Sequence, residues 1–283
     1  MNATNFGISH YLPKMKIKLR GIEYHYKCHQ KTPDLPYLVL LHGFMGSGSS
    51  FDELIPQLCE FCNPITVDLI GHGESEGSEM HYRFAAKEQV ADLIKLISEQ
   101  LSSPLFLHGY SMGGRLALII ALQRPDLIQG LILESTTFGI KTEQERQARQ
   151  ALDAQRADSI LGNYAQFLKE WRALPLFKNS ESNSSMLNIQ EEQNPLWMSN
   201  SLLGFGTGNM PYLRTHLSKL TMPVLLLAGK SDRKFVNIMN AMQHQISNSM
   251  LTLFEHTNHR VHSERPTQFA QSLQSFITHN NLP

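Results

Sequence analysis

Five residues, Gly109-Tyr110-Ser111-Met112-Gly113, carry the strongest chemical signal in the chain. They lie between the apolar run Leu105-Phe106-Leu107 and a helix-forming run from Arg115 to Leu122. The spacing predicts a strand that turns sharply into a helix and lifts one serine hydroxyl clear of the backbone, in a strained conformation that small flanking glycines permit. Such a serine acts only if a base takes its proton and a carboxylate orients that base. Asp232, just beyond the apolar run Val224–Ala228, supplies the carboxylate, with Glu134 at the end of its own strand as a rival. His259, in the segment Glu255–His262, supplies the base and competes there with His256 and His262. Those three histidines also mimic a metal cluster by spacing. No acidic or cysteine partner gathers with them, so no metal site is expected.

A serine that drives carbonyl chemistry also needs donors for a developing oxyanion. The segment Leu41-His42-Gly43-Phe44-Met45-Gly46 follows an apolar strand and is small enough to fold back beneath Ser111. The backbone amides of Phe44 and Met112 are the expected donors.

The elements that must position these groups follow from the pattern. Apolar runs at Tyr37–Leu41, Pro64–Asp68, Leu105–Leu107, Gly130–Leu133, Val224–Ala228 and Met250–Phe254 read as strands buried on both faces. Met15–Leu19 and Ile22–Tyr26 read as an opening antiparallel pair. Segments with helical spacing at Phe84–Leu101, Gly114–Gln123, Lys234–Ile246 and Pro266–Thr278 alternate with the strands. The expected fold class is therefore α/β, a mostly parallel central sheet with helices on both faces. From about residue 137 to 220 the alternation stops, and a polar, helical stretch intervenes. The expected organisation is a core at 1–136 and 221–283, interrupted by a helical lid at 137–220.

The 283 residues carry 25 Lys+Arg and 25 Asp+Glu, so the formal net charge is zero and no basic face for nucleic acid is announced. No apolar run is long enough to span a bilayer, and the first twenty residues lack a signal-peptide core. Three cysteines are too few for a disulfide framework, and Cys59-x-x-Cys62 reads as the end of a buried helix. A cytoplasmic protein is the expectation.

His42-Gly43, Asp68-Leu-Ile-Gly71-His72-Gly73-Glu-Ser75 and the segment around Ser111 together resemble the α/β-hydrolase superfamily. Within it, Leu41–Ser47, Gly109–Arg115, Glu134–Gly139, Glu145-Arg-Gln-Ala-Arg149 with Asp153, and Phe205-Gly-Thr-Gly208 resemble the MenH family. Its members are 2-succinyl-6-hydroxy-2,4-cyclohexadiene-1-carboxylate synthases of menaquinone biosynthesis. The resemblance implies a lyase with Ser111, Asp232 and His259 as triad, which removes a proton beside a carbonyl-bearing carbon and expels pyruvate without water or cofactor. It further implies a small polycarboxylate substrate held by Tyr110, Arg115, Arg149, Trp171 and His42. Arg115 stands behind the serine, where ordinary ester hydrolysis needs no charge, and guanidinium groups suit carboxylates. Arg146 is the neighbouring alternative to Arg149.

Two positions depart from the family pattern. No arginine occurs between Arg172 and Arg214, where a further one is usual, so Arg172, Arg214 or Lys178 must supply that charge or the substrate differs. Ile70 stands where proline is common. Two other functions remain open at this level: a serine hydrolase with the same triad, and a non-catalytic binding protein using the same pocket.

Overall fold

The computed structural model describes residues 14–101, 104–177 and 184–281. Eight strands form one sheet: β1 (Lys14–Leu19), β2 (Ile22–Cys28), β3 (Tyr37–Leu41), β4 (Asn63–Val67), β5 (Leu105–Tyr110), β6 (Ile128–Glu134), β7 (Val224–Gly229) and β8 (Ser249–Phe254). Their order is β1-β2-β4-β3-β5-β6-β7-β8. β1 and β2 pair antiparallel, and β2 joins β4 antiparallel. From β4 to β8 every pairing is parallel.

Buried parallel strands need apolar residues on both faces, and the period of two divides them between two cores. In β3, Val39 and Leu41 enter one core while Leu38 and Leu40 enter the other. In β7, Val224, Leu226 and Ala228 face the first, and Leu225 and Leu227 the second. Helices α2 (Ala86–Gln100) and α3 (Met112–Gln123) cover the first face. The short α1 (Ile55–Leu58) covers the second, with Leu58 buried. Cys59 caps α1, and the buried Cys62 donates its thiol to the Leu58 carbonyl at 3.2 Å, so this pair does end a buried helix.

Between β6 and β7 the chain runs through α4 (Glu143–Gly162), α5 (Tyr164–Arg172), α6 (Ser184–Glu191) and α7 (Pro195–Phe205). Thr142 and Asn163 cap α4 and α5 by accepting from backbone amides three residues on. After β7, α8 (Arg233–Gln243) returns to the first face, and α9 (Val261–Glu264) and α10 (Pro266–Asn280) lie on the second. Neighbours of β3 lie on opposite sides, β4 and β5, so the strand order reverses there. A crevice opens at the carboxyl ends of strands at such a switch point, and the loops after β3, β5, β6, β7 and β8 all meet along that edge.

Candidate active site

The sharp turn at Ser111 has a structural origin on both sides of the chain. Its amide donates to Glu134 O at 2.9 Å, its carbonyl accepts from Thr136 Oγ1 at 2.7 Å, and Gly113 N reaches His42 O at 3.1 Å. Ser111 is thereby held at φ 50°, ψ −103°, a conformation that non-glycine residues adopt at a cost. The adjacent glycine is required by contact: a Cβ on Gly113 would strike the carbonyls of Leu41 and His42. The strain directs the hydroxyl into a cavity of about 660 Å³ between the strand ends and the α4–α7 insertion.

His259 Nε2 lies 3.1 Å from Ser111 Oγ, and His259 Nδ1 lies 2.7 Å from Asp232 Oδ2. With Nδ1–H donating to the carboxylate, Nε2 is free to accept the serine proton. Asp232 also caps α8, accepting from Phe235 N at 3.4 Å through its other oxygen, which fixes the carboxylate plane. His259 is only 2% exposed. Its ring is wedged between Phe235, 4.4 Å away by centroids, and Tyr110 at 5.4 Å. Asn258 N and Arg260 N both donate to the Glu264 carboxylate, at 2.8 and 3.3 Å, so one side chain grips the base loop from either flank.

The rival groups have separate work. Glu134 accepts from His262 N, His262 Nδ1 and His108 Nε2 at 3.0, 2.9 and 3.1 Å, entirely buried. Burial opposes its ionisation, but His262 and His108 outweigh that and hold its pKa near 2. His256 is exposed. The sequence favoured Asp232 and His259 over these rivals, and the fold brings Asp232 and His259 to Ser111.

Phe44 and Met112 both line the cavity. Met112 opens α3, so its amide has no acceptor within the helix. Among the described residues, neither amide donates a hydrogen bond within the protein. Phe44 follows Gly43, where a Cβ would collide with the Tyr110 ring, so only glycine lets this loop lie against the serine turn.

Arg115 is buried, donates to Phe205 O at 2.7 Å, and stacks on the Phe205 ring at 4.3 Å. Burial, with repulsion from Arg149, lowers its pKa to about 9 against the pull of Asp153. Arg149 Nε is shared between both oxygens of Asp153 at 2.9 Å, leaving its terminal nitrogens for the cavity it lines. Arg146 instead meets Glu143 at 3.7 Å and does not line the cavity. Tyr110 and Trp171 line it as well. Arg260 lies close enough to Tyr110 to oppose the rise that burial gives its hydroxyl pKa, and Trp171 stands edge-on to Phe44 at 5.4 Å while stacking on Phe167.

One expected contact is corrected. His42 is completely buried and does not line the cavity. Leu69 N donates to its Nε2 at 3.0 Å, so its Nδ1–H donates to Gly43 O at 2.8 Å. Both ring nitrogens are spent on the main chain, and the residue shapes the oxyanion loop without facing a substrate.

A family model described as serine aminopeptidase, S33 matches residues 35–266. A protein of Bacillus subtilis (strain 168), provisionally named 2-succinyl-6-hydroxy-2,4-cyclohexadiene-1-carboxylate synthase, is 34% identical over 250 residues, covering 85% of this chain and 90% of its own. The chain belongs to the MenH family. A Yersinia pestis bv. Antiqua (strain Nepal516) synthase of the same name is 28% identical, covering 87% of this chain and 89% of its own. The solved MenH from S. aureus superposes with a TM-score of 0.86 at 32% identity, over 91% of this chain and 99% of that one. The fold is thus the α/β-hydrolase fold, carrying a MenH-type sequence.

Of the candidates for the further charge usual in the MenH family, Arg172 is tied to Gln190, Glu191 and Leu187 O and does not line the cavity. Arg214 is exposed at the cavity wall over Phe138. Lys178 lies outside the described residues. Sequence reasoning missed Arg156, Lys234 and Arg260, which also line the cavity. A signal existed for Arg156: it follows Arg149 by seven residues, two helical turns, on the same face of α4.

Proposed function

We propose that this chain converts 2-succinyl-5-enolpyruvyl-6-hydroxy-3-cyclohexene-1-carboxylate to 2-succinyl-6-hydroxy-2,4-cyclohexadiene-1-carboxylate and pyruvate. The observation that carries the reading is the pairing, in one cavity, of a complete triad with buried and half-buried guanidinium groups. A neutral ester has no use for Arg115 and Arg149.

Ser111 passes its proton to His259 and takes the ring hydrogen beside the succinyl ketone. The electrons released form a double bond to the neighbouring ring carbon, the existing double bond shifts by one position, and the carbon–oxygen bond to the enolpyruvyl group breaks. The departing enolate takes up a proton and becomes pyruvate. While the ketone carries enolate charge, the Phe44 and Met112 amides stabilise its oxygen. Asp232 holds the imidazole in the tautomer that accepts from Ser111 and stabilises the imidazolium that follows. The insertion at 137–220 closes the cavity as a lid and sets Arg149 and Trp171 against the substrate. Among the described residues no helix is long and apolar enough to cross a membrane. A small polycarboxylate partner and a cytoplasmic setting accord with that and with the balanced charge.

Pyruvate release from the enolpyruvyl substrate, followed by a coupled reductase, tests the reading. The parent protein is expected to release it, and Ser111→Ala to be slower in kcat by about 10³-fold. No pyruvate from the parent, together with rapid cleavage of simple esters through an acyl-enzyme, would replace the lyase by a serine hydrolase.

A further inference from the structure

Cations crowd one wall of the cavity beyond the two that the family pattern implies. Arg156, on α4, lines the cavity with its guanidinium 5.4 Å from the Trp171 ring and 3.8 Å from Asp153 Oδ1. Lys234, in the first turn of α8, lines it from the core side two residues after the triad aspartate. The contact found for its ammonium is the ring of its neighbour Phe235, at 5.4 Å. Arg115 and Arg149 complete the group; Asp153, 2% exposed, stands between Arg149 and Arg156, and Asp232 acts on Lys234.

These groups repel one another. Burial first, then Arg149, lowers the pKa of Arg156, and burial, Arg149 and Arg156 lower that of Lys234 against the pull of Asp232. A fold gains nothing from gathering like charges without counter-ions. It tolerates such strain where a ligand relieves it. Four cations stand against the two carboxylates of Asp153 and Asp232, which leaves positive charge in excess, and the substrate proposed above carries three carboxylates: on the ring, on the succinyl arm and on the enolpyruvyl group. Arg260 is already engaged by the Phe177 face at 4.2 Å and by Tyr110, and Arg214 is exposed at the wall.

We infer that Arg156 and Lys234 form a second carboxylate anchor that bridges the lid helix α4 and the core helix α8, taking the place of the late-lid arginine that this chain lacks. The inference rests on the lyase reading for its substrate. Its physical content is the binding of a ring polycarboxylate, in which Asp153 holds Arg156 in place and Trp171 supports its guanidinium plane. A carboxylate bound there draws α4 toward α8 and covers the triad.

The test uses benzene-1,2,4-tricarboxylate and benzoate as probes, with affinity measured calorimetrically, beside the KM and kcat for pyruvate release. Arg156→Gln and Lys234→Gln are each expected to weaken the tricarboxylate about tenfold or more while shifting benzoate much less, and to raise KM far more than they lower kcat. Arg156→Lys and Lys234→Arg, which keep the charge, are expected to recover most of the affinity. An Arg156 that merely braced the lid would lower thermal stability without changing the preference for three carboxylates over one. Equal tricarboxylate affinity in the parent and both neutral variants would overturn the anchor. A parent that binds the tricarboxylate through these residues yet releases no pyruvate would uphold the anchor and remove the lyase reading.

Discussion

At the residue scale, the site depends on groups forced into positions they would not choose alone. Ser111 is bent into φ 50° by hydrogen bonds to the strands on either side, and Arg115 keeps its charge in a buried place by leaning on Phe205. Glu134 is the least visible of these groups. Its carboxylate binds the chain at His262, directly after the base loop, and so fixes the floor beneath His259 and Tyr110. Its pKa lies near 2 against an ordinary value of 4.5. Because the folded value is the lower one, the stabilisation is fully present above pH 4.5 and is lost as pH falls toward 2. Glu134→Gln is expected to cost about 3 kcal/mol at neutral pH, since two buried histidines lose their partner. Its acid-unfolding curve should be flatter across that window than the parent's. Urea unfolding at a series of pH values checks this, and parallel curves for the two proteins would exclude the role.

At the scale of elements, the insertion must be anchored to the core. Helix α7 is its fixed end: Asn200, nearly buried, donates from Nδ2 to Ser78 O at 2.9 Å and Glu79 O at 3.0 Å, and so ties the insertion to the core loop before α2. A Cβ on Gly206, at the end of α7, would strike the Asp153 carboxylate, so α4 and α7 meet only across glycine. The sequence marked both Asn200-Ser-Leu202 and Gly206-Thr-Gly208 without showing what they were for. Asn200→Ala leaves two carbonyls without their donor and is expected to cost about 1–3 kcal/mol. Loosening α7 also frees Phe205 O, the acceptor of Arg115, so KM for the polycarboxylate substrate should rise several-fold. Thermal unfolding and steady-state kinetics together decide it: loss of stability with an unaltered KM would make the anchor purely structural.

For the whole molecule, zero net charge conceals a strongly positive cavity. Such a site attracts an anionic substrate through water, and added salt screens the attraction. KM for the substrate is expected to rise several-fold as ionic strength goes from roughly 0.05 to 0.3 M, while kcat holds nearly constant, because a Debye length shrinks to less than the depth of a pocket of this size. A salt-independent KM would argue that the cations are already neutralised. The strands, the helices that alternate with them and the serine turn were legible beforehand, because periods of 2 and 3.6 and the requirement for small residues at a tight turn are properties of neighbouring residues. The family was legible in the same way, from short motifs such as the one around Ser111. The sequence also narrowed the triad to a few acids and histidines. It favoured Asp232 over Glu134 and His259 over its neighbours, but the contacts among them depend on which strand ends lie side by side. It did not remove His42 from the binding residues, for only the fold puts Leu69 N and Gly43 O against its two nitrogens. Arg156 and Lys234 stand 78 positions apart in the chain, and only the tertiary fold brings α4 and α8 to line one cavity. Local chemistry is written in spacing along the chain, whereas the sum of charges at a site is set by which distant segments the tertiary fold packs together.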